Sequence, residues 1–222
     1  MIISAAVFDF DGVIIETEQA DFDAWRSLYR ENGAALGWEE YAVCIGTKGA
    51  FDPVADLEKK TGRGHDRDRV RARQKEIIGP LLAALKPLPG VLDRLDEADR
   101  LGIRLAIASS SSLEWVVGHL TTHGIMDRFS AILTRDGRLR AKPYPDLYLA
   151  ALSALGVPAD EAVAFEDSMN GVTAAKEAGL FCVAVPNSMT ARMDLSRADL
   201  ISASLGDISF SSLASVVGTI RG

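Results

Sequence analysis

Short, nearly unbroken apolar runs alternate with longer stretches of helical periodicity along most of the chain. The runs lie at residues 3–8, 103–108, 131–133, 163–165 and 181–185 and are rich in Val, Ile, Phe and Ala. A half-exposed strand would alternate apolar with polar positions, so unbroken runs separated by helices predict a parallel sheet covered on both faces. The intervening periodicity predicts helices at about 90–100, 113–123, 145–155, 171–178 and 213–220. Gly102, Gly124, Gly156 and Gly179 each follow a helix and precede the next strand, where a residue with positive φ closes the last turn. The fold class is α/β.

One stretch breaks this alternation. Between residues 17 and 86 the apolar positions Phe22, Trp25, Leu28, Tyr29, Val54, Leu57 and Val70 to Leu85 show only helical spacing. Some 70 residues is far longer than an ordinary crossover between neighbouring strands. The pattern predicts a helical unit at 17–86 inserted into a sheet domain made of 1–16 and 87–222, with Leu88-Pro89-Gly90 marking the return. Within it, Arg67, Arg69, Arg71 and Arg73 are interleaved with Asp66, Asp68 and Glu76, the mixture of a solvated helix face.

Composition narrows the classes. With 48% hydrophobic and 25% charged residues the chain reads as a packed, soluble protein. A net charge of −7 argues against general nucleic-acid binding, which needs a basic surface to displace counterions, but leaves room for a local basic pocket. No apolar segment reaches the ~18 residues of a membrane span, and Asp9 cuts the first apolar run short. That run is therefore expected to be a strand rather than a leader, in a cytoplasmic protein. Cys44 and Cys182 are far apart and predict two free thiols in a reducing compartment.

Ligands of open parallel sheets bind outside the carboxyl ends of the strands, so strand ends carry the candidate chemistry. The first run ends Phe8-Asp9-Phe10-Asp11-Gly12, placing two carboxylates on one face and two phenyl rings on the other. Adjacent carboxylates repel unless a cation or shared proton lies between them. The second run ends in four serines, Ser109 to Ser112, entering a helix. Those hydroxyls and free backbone N–H groups suit an anion, although one Ser would suffice as a cap. Lys142 precedes a helix that Pro145 opens, and the fourth run ends Phe165-Glu166-Asp167. Each of these also has an ordinary structural reading as turn, cap or surface. Together they bring carboxylates for Mg²⁺, and Ser and Lys for phosphate oxygens, to four neighbouring strand ends. With Mg²⁺ bridging, Asp9 serves as nucleophile and Asp11 as proton carrier. No GxxxxGK[ST] loop or GxSxG elbow is present, and His65, His119 and His123 lack zinc-like spacing.

In order, Asp9-Phe10-Asp11-Gly12-Val13, Ser109, Lys142-Pro143 and Glu166-Asp167 resemble the four motifs of the haloacid dehalogenase-like superfamily, and the helical insertion resembles its C1 cap. The similarity is greatest to the group holding β-phosphoglucomutase and phosphoglycolate phosphatase. The resemblance implies a Rossmann-like core and Mg²⁺ dependence. It implies Asp9 as nucleophile and Asp11 as acid/base that also binds the ion through its carbonyl. Ser109, Ser110 and Lys142 would hold the phosphoryl group, Asp167 the metal, and Glu166 would assist directly or through water. Mutases of this group carry a His where this chain has Asp21, and a cap arginine near Gly46 is missing. The expected activity is hydrolysis of a small phosphorylated metabolite by a monomer or weak homodimer. Lys48 is a candidate contact to the substrate's distal end. The alternatives are a β-phosphoglucomutase-like phosphoryl transferase and a silent phospho-ligand binder.

Overall fold

The computed structural model describes residues 3–45 and 51–221. Its sheet has six strands among the described residues: β1 (Ala5–Phe8), β2 (Arg104–Ser109), β3 (Ala131–Thr134), β4 (Ala162–Glu166), β5 (Phe181–Ala184) and β6 (Leu200–Ile201). All pairings are parallel, in the order β3-β2-β1-β4-β5-β6. The five long strands match the apolar runs to within two residues. β6 is a two-residue edge strand with too little sequence to carry a pattern.

β1 sits at the centre with every side chain buried. Ala6 and Phe8 face one layer, packed with Val91 and Leu95 of α5 (Val91–Leu101), Val116 of α6 (Leu113–Thr122) and Phe210 of α9 (Phe210–Arg221). Ala5 and Val7 face the other, with Leu147 and Ala151 of α7 (Asp146–Leu155) and Val172 of α8 (Met169–Glu177). The two faces of one strand thus nucleate two apolar layers, as period-two alternation requires. Gly102, Gly124, Gly156 and Gly179 all have positive φ, between 62° and 81°.

The described part of the 17–86 stretch contains helices and no strand: α1 (Thr17–Glu31), α2 (Trp38–Tyr41), α3 (Pro53–Thr61) and α4 (Arg67–Ala84). Phe22, Trp25, Leu28, Val54, Leu57 and Val70 form their own apolar cluster, joined by Met189 from the loop after β5. The two connecting segments run side by side, with the Leu88 N–H donating to the Ile14 carbonyl at 2.9 Å. The order of strands reverses at β1, between β2 and β4, which places the ligand crevice of such a sheet at the end of β1.

Candidate active site

Asp9 is the first residue beyond β1 and Glu166 the last of β4; the Asp9 N–H is anchored on the Phe165 carbonyl at 2.9 Å. Lys142 reaches between them from the loop before α7. Its Nζ lies 2.6 Å from Asp9 Oδ1 and 2.5 Å from Glu166 Oε1, and it is 2% exposed. Burial works against its charge, yet the carboxylates of Asp9 and Glu166 hold the ammonium above its ordinary range. Glu166 Oε1 also accepts from the buried Tyr148 hydroxyl at 2.5 Å, and Oε2 from the Asp167 N–H at 3.2 Å. Burial, first, keeps that tyrosine protonated and therefore a donor.

Oxygens of Asp9, Glu166 and Asp167 all lie within 4.8 Å of one another, and the three residues are buried. Burial pushes Asp9 up to about 7, with Glu166 and Asp11 adding to the rise and Lys142 opposing it. Burial also pushes Asp167 well above the carboxylate range, reinforced by Glu18, Asp9, Glu166 and Glu16. Negative charge here exceeds what Lys142 balances, and the donors are hard oxygens, so the residues fit a hard divalent cation. Asn187, in the loop after β5, steadies the group. Its Nδ2 donates to Asp167 Oδ2 at 2.8 Å and to the Gly12 carbonyl at 3.2 Å. Gly12 has φ of 86°, and a side chain there would run into Asp167 and Asn187.

The carboxylate of Asp11 is not in that acidic group. Its Oδ1 accepts from Thr17 Oγ1 at 2.5 Å and from the Trp115 indole at 2.9 Å, and its Oδ2 from Ser111 Oγ at 2.6 Å. The four serines have four separate tasks. Ser109 Oγ accepts from the Ser111 N–H at 3.0 Å, and Ser110 Oγ from the Lys142 N–H at 3.2 Å. Ser111 holds Asp11, and Ser112 caps α6 by accepting from the Trp115 N–H.

A cavity of about 570 Å³ opens over these groups. Asp9, Asp11, Ser109, Ser110 and Lys142 form one wall; Trp25, Tyr41 and Gln74 contribute from the helical stretch. Asp21, also in that wall, accepts from the Tyr41 hydroxyl at 2.5 Å and from Gln74 at 2.7 Å. The members of the arginine-rich run have different surroundings. Arg67 pairs with Asp52 and Arg73 with Glu31 and Glu76, as a solvated face would, while Arg71 and Lys75, one turn apart, line the cavity.

The structure therefore gathers Asp9, Asp11, Ser109, Ser110 and Lys142 at one cavity, and Glu166 and Asp167 at the acidic group beside Asp9. Lys48 lies outside the described residues. Sequence reasoning did not single out Thr17, Trp115 or Tyr148. Tyr148 reads as one more core position of α7, and Trp115 as an ordinary helix residue. Asn187 carried a signal, as the first polar side chain in the loop beyond a strand end.

A model of the haloacid dehalogenase-like hydrolase family matches residues 3–179. The chain belongs to this family. The putative phosphatase YhcW of Bacillus subtilis is 39% identical over 188 residues, covering 85% of this chain and 86% of that protein. The crystal structure of CbbY from Rhodobacter sphaeroides with phosphate superimposes with a TM-score of 0.76 at 31% identity, covering 96% of this chain and all of CbbY. A mutant of CbbY was crystallised with xylulose-(1,5)-bisphosphate. A β-phosphoglucomutase from Clostridium difficile shares the fold, with a TM-score of 0.78 at 23% identity, covering 100% of this chain and 99% of that one. The α/β Rossmann-like architecture and the expectation of a phosphatase enzyme are borne out at this level. Among the described residues no helix is long and apolar enough to cross a membrane.

Proposed function

We propose that the protein is a Mg²⁺-dependent phosphatase that hydrolyses a small phosphorylated metabolite through phosphorylated Asp9. The observation carrying this reading is the buried contact of Lys142 with Asp9 and Glu166 beside Asp167, which puts a candidate nucleophile, an ammonium able to donate to phosphoryl oxygens and an acidic group suited to a cation within one hydrogen-bonded unit. Asp9, Asp167 and the Asp11 carbonyl would hold the ion, with Glu166 assisting directly or through water. When bound, the ion supplies positive charge beside the phosphoryl oxygens.

Ser109, Ser110 and Lys142 hold the phosphoryl oxygens. Asp9 attacks phosphorus, and the bond to the leaving oxygen breaks as the new one forms. Asp11 gives the alkoxide a proton, then takes one from the water that releases phosphate and restores Asp9. Most of the rate comes from positioning and charge neutralisation. Residues 17–86 act as a cap over a core of 1–16 and 87–222, excluding bulk water during the chemistry. Asp21, bonded to Tyr41 and Gln74, stands where related mutases carry a His, which favours hydrolysis over isomerisation. We read the enzyme as cytoplasmic and as a monomer or weak homodimer.

The test is phosphate release from a panel of small phosphate esters, with Mg²⁺, with EDTA, and with Asp9→Asn. Release that needs Mg²⁺ and is lost in Asp9→Asn supports the mechanism. Full turnover by Asp9→Asn overturns it.

A further inference from the structure

Asp11 is held by donors of two kinds. Thr17 Oγ1 and the Trp115 indole meet Oδ1, at 2.5 and 2.9 Å, while Ser111 Oγ meets Oδ2 at 2.6 Å. A hydroxyl can turn and accept instead; an indole N–H only donates. Trp115 therefore fixes Oδ1 as an acceptor and leaves Oδ2, whose partner is reversible, as the oxygen free to exchange a proton.

The indole is itself held in place. The main-chain N–H of Trp115 donates to the Ser112 hydroxyl at 3.4 Å, which fixes the residue at the start of α6. Its ring meets His119 edge-on, with centroids 4.6 Å apart and planes at 72°. His119 in turn contacts the ring of Phe10, the residue before Asp11, at 5.9 Å. The stack thus ties the donor to the segment that carries the acceptor, and Trp115 also lines the cavity over Asp9.

We propose that Trp115 is a positioning residue for the reaction. Its indole N–H orients the Asp11 carboxylate so that Oδ2 delivers the proton to the leaving oxygen and later takes one from water. The inference rests on the reading of this site as a phosphatase with Asp11 as acid/base. The balance closes. In the first half an Asp9 oxygen bonds to phosphorus as the ester P–O bond breaks; its electron pair stays on the alkoxide, which Oδ2–H protonates. In the second half the water oxygen bonds to phosphorus and gives its proton to Oδ2, while the Asp9–phosphorus bond breaks and returns its electron pair to the Asp9 carboxylate.

The experiment compares kcat/KM for a series of phosphate esters, from 4-nitrophenyl phosphate to simple alkyl phosphates, in the unaltered protein and in Trp115→Phe. A second variant replaces Trp115 by 3-benzothienylalanine, which exchanges the indole N–H for sulfur and keeps the bicyclic shape, so the test stands if Trp115→Phe does not fold. A 4-nitrophenolate leaves without a proton, whereas an alkoxide needs one. The expected result is a loss of about ten- to a hundredfold on alkyl esters, part of what a placed proton donor contributes, with little change in kcat/KM for 4-nitrophenyl phosphate. kcat falls on both, because both pass through hydrolysis of phosphorylated Asp9. Equal losses in kcat/KM on all esters, or no loss on any, overturn the proposal. Asp9→Asn separates the two levels. If it retains turnover, the reading of Asp9 as nucleophile with Asp11 as its acid/base fails; if it is inactive and the leaving-group dependence is unchanged at Trp115, only the role of Trp115 fails.

Discussion

Lys142 and Glu166, 24 residues apart in sequence, are joined by a 2.5 Å ion pair from which water is almost wholly excluded. The same ammonium bonds Asp9 at 2.6 Å. One cation thus balances part of the charge of two strand ends, β1 and β4, that the fold forces together.

Removing that cation leaves buried carboxylates unbalanced. Lys142→Met is expected to lower the stability of the metal-free protein by about 3–5 kcal/mol, the usual cost of breaking a buried pair from one side. Urea denaturation in EDTA measures it. Unchanged stability would mean the acidic group already exists protonated without Lys142.

Gly171 occupies the first turn of α8, directly over the Glu166 carboxylate, and a methyl group there would overlap it. Helix propensity alone favours Ala over Gly by about 1 kcal/mol. Gly171→Ala is nevertheless expected to destabilise by about 1–3 kcal/mol through overpacking and to reduce turnover by displacing Glu166. Thermal denaturation gives the sign, and a stabilised variant would refute the clash.

Asn187 orients Asp167 through its amide while its Oδ1 accepts from the Met189 and Thr190 N–H groups, at 2.8 and 3.1 Å. Asn187→Ala is expected to weaken Mg²⁺ binding by about ten- to a hundredfold, as loss of a group that orients a ligand does. Calorimetric titration with Mg²⁺ reads this without substrate; an unchanged affinity would remove Asn187 from the metal site.

The raised Asp9 gives stability a definite slope with pH. Its carboxyl moves from the ordinary 3.8 to about 7 on folding, so between these values the folded state keeps a proton that the unfolded chain has released. Stability is then highest below this window and falls as pH rises through it; Asp167 is shifted in the same direction. The thermal midpoint in EDTA should drop from about pH 4 to about pH 7, less steeply in Asp9→Asn, and Mg²⁺ should restore most at the upper end. A midpoint that rises across this window would contradict the burial of an uncompensated acidic group.

The strand runs, the closing glycines and the motif residues at strand ends were legible because each depends on local chemistry. A buried strand must be apolar throughout, and a residue with positive φ closes many helices; each strand-end charge has an ordinary structural reading, but four together point to one crevice. Such features set the α/β class, the helical stretch after β1, and Asp9, Asp11, Ser109, Lys142, Glu166 and Asp167 as candidates. Tertiary structure alone decided who their partners are. Nothing in a periodic pattern distinguishes Tyr148 from the other core positions of α7, yet its hydroxyl ends on Glu166. Arg71 and Lys75 were indistinguishable by composition from Arg67 and Arg73; the fold brought Asp52 to Arg67 and Glu31 to Arg73, and left Arg71 and Lys75 lining the cavity. Trp115 lies 104 residues from Asp11. Periodicity and capping act over a few residues, whereas hydrogen-bond partners are chosen by how the sheet order β2-β1-β4 brings distant strand ends together, and that choice exists only in the folded chain.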